Sequence, residues 1–215
     1  MPHLKIGVFA SGTGSNCKAI FESIKKELLD ASIGVVISNV SDAPILDWAT
    51  EQGIPAEHIS SDQFNELDKF HEHLLSTLKK RQINFIVLAG YMKKIGRPIL
   101  TAYTNRVLNI HPALLPSFGG KGMYGRQVHQ AVLEYGAKVT GVTVHLVDAE
   151  YDHGPVVLQE PVRVHPNDTV DTLAKRVLDM EHQVYWRALD LFAKNQIEIH
   201  GQKVVFTNQK EDRDE

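Results

Sequence analysis

The chain has 215 residues, 43% hydrophobic and 23% charged, so it can bury a core without disulfides or structural metals, and its composition is neither disordered, collagenous nor membrane-like. Its 23 Lys and Arg against 26 Asp and Glu give a formal charge of −3, which leaves no broad basic field for a nucleic-acid partner. The lone Cys17 excludes an internal disulfide and a thiolate metal cluster, and without a secretory leader or an 18-residue apolar run the expectation is a cytoplasmic protein with no membrane partner.

Residues 4–10 form an apolar run ending in a Ser/Gly turn, and residues 17–29 then place Ile20, Phe21, Ile24 and Leu28 at helical spacing. The alternation recurs as a strand over 33–38 and a helix over 44–52, an extended piece over 54–59 and a helix over 64–80, and a strand over 83–89 and a helix over 98–103. A fifth strand covers 106–111. Strands rich in Val and Ile, without polar alternation and separated by helices, predict an α/β fold: a doubly wound, mostly parallel central sheet with helices on both faces.

The second half changes character. Residues 140–147 and 155–164 are extended runs joined by a loop too short for a helical crossover, so they should form a late antiparallel pair. Asp168 or Thr169 can cap a helix over 170–194, whose apolar positions include Leu173, Val177, Leu178, Val184, Ala188 and Leu191. Residues 208–215 read as a polar, frayed tail, and with no linker or repeat before it residues 1–207 are expected to be one domain.

Ser11-Gly12-Thr13-Gly14-Ser15-Asn16 falls between the first strand and the first helix, where free backbone amides face an anion. It is not a dinucleotide fingerprint, since Cys17 occupies the third glycine position and the second strand ends in Ser38-Asn39 rather than an acid. No Gly-Lys-Ser/Thr follows, so triphosphate chemistry lacks its usual support, and a small phosphorylated metabolite remains. The bland alternative is a tight turn built on Gly12 and Gly14, with Ser15 as the helix cap.

Strand periodicity sends Asn109 and His111 to one face of the fifth strand and Leu108 and Ile110 to the other. Pro112 then ends the ladder, placing the polar pair at a carboxyl strand end, where open α/β sheets bind ligands. An amide that donates to an oxygen gaining charge, beside an imidazole that exchanges a proton, suits acyl transfer. A strand histidine alone is more often structural; the pairing with Asn109 is what favours catalysis. His71 and His73 make no His-Glu-x-x-His motif and read as surface residues, while His129, His145 and His182 have no spaced ligand set and read as core or surface residues, so no metal is expected. The loop Asp148-Ala149-Glu150-Tyr151-Asp152-His153 carries three carboxylates, any of which could orient His111, raise its pKa or position a relay water.

Together, residues 7–16, Val87-Leu88-Ala89-Gly90-Tyr91-Met92, Leu108-Asn109-Ile110-His111-Pro112-Ala113-Leu114-Leu115-Pro116, and Gly141-Val142-Thr143-Val144-His145 with Asp152-His153-Gly154-Pro155 resemble the phosphoribosylglycinamide formyltransferases of purine synthesis. The resemblance spans nearly the whole chain in family order and implies a Rossmann-like formyltransferase fold. It implies transfer of the formyl group of 10-formyltetrahydrofolate, a co-substrate, to the amine of glycinamide ribonucleotide, in a monomer or homodimer acting on small molecules. It assigns Asn109 to polarising the formyl oxygen, His111 to proton donation, and Asp152 to orienting His111 and a relay water. It gives Gly14, Ser15 and Asn16 the acceptor phosphate and Glu181 the rest of the nucleotide, and it builds the folate pocket from Met92, Lys93, Lys94, Ile95, Asp148, Ala149, Glu150, Tyr151 and Asp152, with Asn109.

Met92-Lys93-Lys94-Ile95 departs from a more usual Met-Arg-Ile-Leu, and no arginine stands beside Phe64 where some members use one toward folate. The glycine-rich residues 119–125 are expected to close over bound substrate. The related formyltetrahydrofolate hydrolases ordinarily carry an extra amino-terminal domain, and methionyl-tRNA formyltransferases a carboxy-terminal RNA-binding domain. From another class, a non-catalytic phosphometabolite-binding module would need only the glycine loop.

Overall fold

The structure, a computed structural model, describes residues 3–207, so the polar tail expected over 208–215 lies outside the described residues. Five strands run parallel: β1 (Leu4–Phe9), β2 (Ala31–Ser38), β3 (Ala56–His58), β4 (Phe85–Leu88) and β5 (Val107–His111). Beyond β5, β6 (Val139–Leu146) and β7 (Val156–Arg163) each pair antiparallel to the strand before, completing the order β3-β2-β1-β4-β5-β6-β7. The sequence predicts the β6 and β7 pairing; that β6 also opposes β5 is decided by where the chain re-enters the sheet. Pro161 is tolerated in β7 because that strand lies at the sheet edge.

Consecutive residues along the parallel strands point to opposite faces, and each face has its own helices. Ile6, Val8, Val36 and Val87 pack with residues of α1 (Ser15–Lys25), α2 (Pro44–Glu51) and α6 (Val170–Ala193), such as Ile20, Ile45 and Val184. Phe9, Ile37 and Ile86 instead meet Leu74 and Leu78 of α3 (Leu67–Lys80) and Ile99 of α4 (Arg97–Ala102). Each buried Val, Ile or Phe contributes about 1.5–3 kcal/mol of apolar transfer, so strands apolar on both sides hold two helix layers at once.

Several helices end where the sequence carries no stop signal. The helix expected through residue 29 ends at Lys25: Glu27 takes the left-handed φ of 58°, Glu27 N donates to Ile24 O, and Leu28 N reaches back to Ser23 O. Leu28, expected on the buried face, is exposed. Gln82 after α3 and Asn195 after α6 repeat this closure without a glycine, whereas Gly136 ends α5 (Arg126–Tyr135) in the ordinary way. Thr169, not Asp168, caps α6 by accepting from Thr172 N, while Asp168 pairs with Arg176. The hairpin of β8 (Ile197–His200) and β9 (Lys203–Phe206), turning at Gly201, is additional to the predicted elements; Ile197, Ile199 and Phe206 lay it against the core.

The order of the parallel strands fixes where a ligand can sit. From β1 the chain crosses one way to β2, and from β4 the other way to β5, so the connections part to opposite faces of the sheet, α1 on one and α4 on the other, and leave a crevice at the carboxyl ends of the strands.

Candidate active site

The loop leaving β1 occupies one wall of that crevice. Gly14 precedes α1 with φ 64° and ψ 37°, and a side chain there would run into Ile45, so only glycine fits. Ser15 is therefore the first helical residue rather than the cap, and no side chain caps the opening amides of α1. The loop is held from outside: Ser11 N donates to Gly90 O at 3.1 Å, Met92 N to Ser11 Oγ at 2.8 Å, and Ile45 N to Gly12 O at 3.2 Å. Uncapped amides at a helix start, on a braced loop, form an anion-binding surface.

Just inside this loop, Asn16 Nδ2 donates to Glu181 Oε2 of α6 at 2.7 Å. Asn16 Oδ1 is buried without a partner. Burial pushes the Glu181 carboxyl up to about 7, against the opposing effect of the Asn16 hydrogen bond. The pair therefore offers one unmet acceptor and one carboxyl group close to its titration point near neutral pH.

The opposite wall is the end of β5. Asn109 and His111 project on the same side of the sheet, and each faces a residue of β6 directly: Asn109 opposite His145, His111 opposite Thr143. Asn109 Nδ2 lies 3.1 Å from His145 Nε2, and His145 Nδ1 lies 2.9 Å from Leu146 O. Since a carbonyl only accepts, the proton of a neutral His145 sits on Nδ1, and Nε2 accepts from the Asn109 amide. Thr143 Oγ1 donates to Ala113 O at 2.7 Å and accepts from Leu115 N at 3.0 Å, holding the segment that follows His111.

Asp152 approaches from the loop between β6 and β7. Its Oδ2 lies 3.6 Å from His111 Nδ1 and its Oδ1 3.7 Å from His145 Nε2, so one carboxylate faces both imidazoles. Its Oδ2 also accepts from Gly120 N at 2.9 Å, while His111 Nε2 donates to Phe118 O at 2.9 Å. Burial holds His111 below its ordinary pKa even though Asp152 and the Phe118 carbonyl both push it upward. A neutral His111 turns the Nδ1 lone pair toward the carboxylate; protonation turns that contact into an ion pair. The other two acids of the loop are engaged elsewhere or exposed: Asp148 accepts from Glu150 N and pairs with His153 at 2.7 Å, and Glu150 lies on the surface.

A cleft of about 640 Å³ joins these walls, within the range of small-molecule sites. It is lined by Gly14, Ser15, Asn16, Glu181, Met92, Lys93, Lys94, Ile95, Asn109, His111, Asp148, Glu150, Tyr151 and Asp152. Ala149 does not line it. That residue borders a neighbouring pocket of about 520 Å³ beside α3 and α4.

His145, with no spaced ligand set and so expected in the core or at the surface, stands in the site. The alternation of β6 puts it on one face with Thr143, but only the β5 and β6 register brings that face to Asn109. His71, expected at the surface, is buried against Gly96: it shares the inner stripe of α3 with Leu74 and Leu78, while His73 is exposed. His129 is buried on α5, where burial, with smaller effects from His111 and Arg126, lowers its pKa to about 4. Among the described residues no group of three or more His, Cys, Asp or Glu could hold a metal ion, and no helix is long and apolar enough to cross a membrane.

Residues 4–189 match the formyl transferase family. The chain is 39% identical over 212 residues to the chloroplastic phosphoribosylglycinamide formyltransferase of Arabidopsis thaliana, covering 98% of this chain and 73% of that protein. It is 35% identical over 181 residues to the phosphoribosylglycinamide formyltransferase of Bacillus subtilis (strain 168), covering 84% and 90%. The crystal structure of glycinamide ribonucleotide transformylase 1 from Symbiobacterium toebii superposes with a TM-score of 0.89 at 38% identity, over 95% of this chain and 94% of that one.

Proposed function

Since the chain belongs to the formyl transferase family, we propose that it transfers the formyl group of 10-formyltetrahydrofolate to the primary amine of glycinamide ribonucleotide, giving formylglycinamide ribonucleotide and tetrahydrofolate in purine synthesis. The observation that carries this reading is the single cleft with an uncapped helix start at one end and Asn109, His111 and Asp152 at the other. A phosphorylated amine and a formyl donor need such a pair of ends.

In this reading Gly14, Ser15 and Asn16 hold the acceptor phosphate, and Glu181 with the unmet Asn16 Oδ1 receives hydroxyl or amine donors of the nucleotide. The folate lies along Met92, Lys93, Lys94 and Ile95 and the loop from Asp148 to Asp152, with Ala149 at its outer margin. The amine nitrogen bonds to the formyl carbon, the bond from that carbon to the folate nitrogen breaks, and one proton passes from the amine to the released nitrogen. Asn109, oriented by His145, donates to the formyl oxygen as it gains charge; His111 Nε2–H is taken by Phe118 O, so the second donor is the Nδ1–H that a protonated His111 carries beside Asp152. Asp152 favours that protonated form and can hold a water that relays the proton.

The same proposal treats residues 1–207 as one catalytic domain, a monomer or homodimer, with 208–215 as a polar tail. It places the protein in the cytoplasm, in keeping with the single unpaired thiol of Cys17.

The test is formyl transfer assayed with and without glycinamide ribonucleotide. Acceptor-dependent release of tetrahydrofolate, lost by about 10²-fold or more in Asn109→Ala and His111→Ala, is the expected result. Release at the same rate without acceptor means that the protein hydrolyses the donor, and binding without turnover means a non-catalytic module.

A further inference from the structure

We propose that Lys121, in the glycine-rich loop ahead of α5, binds the phosphate of the nucleotide substrate, an assignment that rests on the acceptor proposed above. The loop after β1 offers amides and hydroxyls but no cation, since residues 11–16 are Ser-Gly-Thr-Gly-Ser-Asn. Lys18 of α1 is turned away, its Nζ 5.6 Å from the centre of the Trp48 ring. A helix start supplies roughly half a positive charge, whereas a phosphate monoester carries about −1.5 to −2 near neutral pH. The same cleft is lined by Asp148, Glu150, Asp152 and Glu181, which add to the deficit.

Three lysines line the cleft: Lys93, Lys94 and Lys121. Lys94 Nζ sits 5.2 Å from the centre of the Tyr151 ring, and both Lys93 and Lys94 also border the pocket beside α3 and α4. Lys121 is exposed and makes no ion pair or hydrogen bond among the described residues. It stands between Gly120 and Gly122, at φ 95° and 91°, and even an added Cβ at either glycine would meet nothing within 4 Å. Packing constrains neither glycine, but Gly120 N is held by Asp152 and Gly120 O accepts from Met123 N at 3.0 Å, so Lys121 projects from the tip of a short, anchored turn.

The base of this loop is fixed at the reacting centre, through Phe118 O to His111 and Gly120 N to Asp152. A cation at the tip of a loop so rooted can reach across to an anion on the facing wall, drawing Met123 and Tyr124, which line the same cleft, over the substrate. Phosphate occupancy and the placement of the His111 and Asp152 pair are then coupled through a few residues of backbone.

The experiment compares glycinamide ribonucleotide with its dephosphorylated riboside in wild type, Lys121→Ala, Lys121→Arg and Lys93→Ala. Lys121→Ala is expected to raise KM for the nucleotide by about tenfold to a hundredfold, the loss of one charge-assisted hydrogen bond, and to leave kcat/KM for the riboside within about twofold. Inhibition by inorganic phosphate weakens in the same variant, and Lys121→Arg restores most of the affinity. Equal losses on both substrates, no loss on either, or loss of discrimination in Lys93→Ala alone would each overturn the assignment. Wild-type turnover separates the two readings: if the wild type does not formylate the nucleotide, the proposed function and the Lys121 role fall together, whereas turnover with unchanged discrimination in Lys121→Ala removes only the Lys121 role.

Discussion

Asn109 and His145 face each other across β5 and β6, and a 3.1 Å hydrogen bond from the amide nitrogen to the imidazole Nε2 joins them. With His145 Nδ1 given to the Leu146 carbonyl, the imidazole can only accept at Nε2, so it fixes which end of the Asn109 amide is nitrogen. His145 thus positions a donor that the proposed chemistry requires. In His145→Ala the amide is free to rotate, and kcat is expected to fall by about tenfold to a hundredfold with KM for both substrates within a few-fold, as read by steady-state kinetics. A matching rise in KM would mean that His145 contributes to binding instead.

Glu181 makes stability depend on pH in a direction unusual for a carboxylate. Burial raises its folded pKa to about 7, while an unfolded glutamate titrates at about 4.3. Between these values the unfolded chain releases a proton that the folded protein keeps, so stability is full below the lower value and declines as pH rises through the higher one. Glu181→Gln keeps an acceptor for Asn16 and removes the titration. Its Tm relative to wild type should increase between pH 5 and pH 8 in thermal melts, and a difference that stays flat across that range would contradict the buried, protonated state.

His129 acts in the opposite sense. Its folded pKa is about 4 against about 6.5 unfolded, so its contribution is full above the unfolded value and is lost as pH falls through the folded one. His111, His145 and His182, all lowered mainly by burial, act the same way. His129→Gln should therefore show a shallower fall in Tm between pH 6.5 and pH 4 than wild type, measured by scanning calorimetry; an unchanged slope would mean that His129 takes up its proton equally in both states.

Tyr185 of α6 ties two neighbouring strands together, its hydroxyl lying 2.8 Å from Leu88 O of β4 and 2.9 Å from Leu108 O of β5. Tyr185→Phe leaves two buried carbonyls without that donor. The expected loss is about 1–3 kcal/mol in chemical denaturation at an unchanged m-value. Because β4 leads into Met92 to Ile95 and β5 carries Asn109 and His111, all lining the cleft, kcat should also fall modestly; full stability in Tyr185→Phe would show that the hydroxyl adds nothing.

The fold was legible because strands such as Ile33 to Ser38 are apolar on both faces, which only a sheet covered by two helix layers can bury. The ends of helices were less so. Glu27, Gln82 and Asn195 adopt left-handed conformations without the glycine that would announce them, and the stop is set by hydrogen bonds that form once the helix is packed. The β8 and β9 hairpin carries little sequence signal because its strands are four residues each and only half-buried.

By itself the sequence determined the alternation of strand and helix, the glycine loop at the start of α1, and the placing of Asn109 and His111 on one side of a strand end, since each follows from local geometry with a period of two or 3.6 residues. Only the tertiary structure decided that His145 stands opposite Asn109 and that His71 is buried, and it set Asp152, the acid that the family resemblance names and composition could not choose, against His111 in place of Asp148 or Glu150. Those relations depend on strand register, on the path of a loop between strands, and on which side of a helix meets the sheet. All three are set by contacts between residues far apart in the chain, which no local pattern encodes.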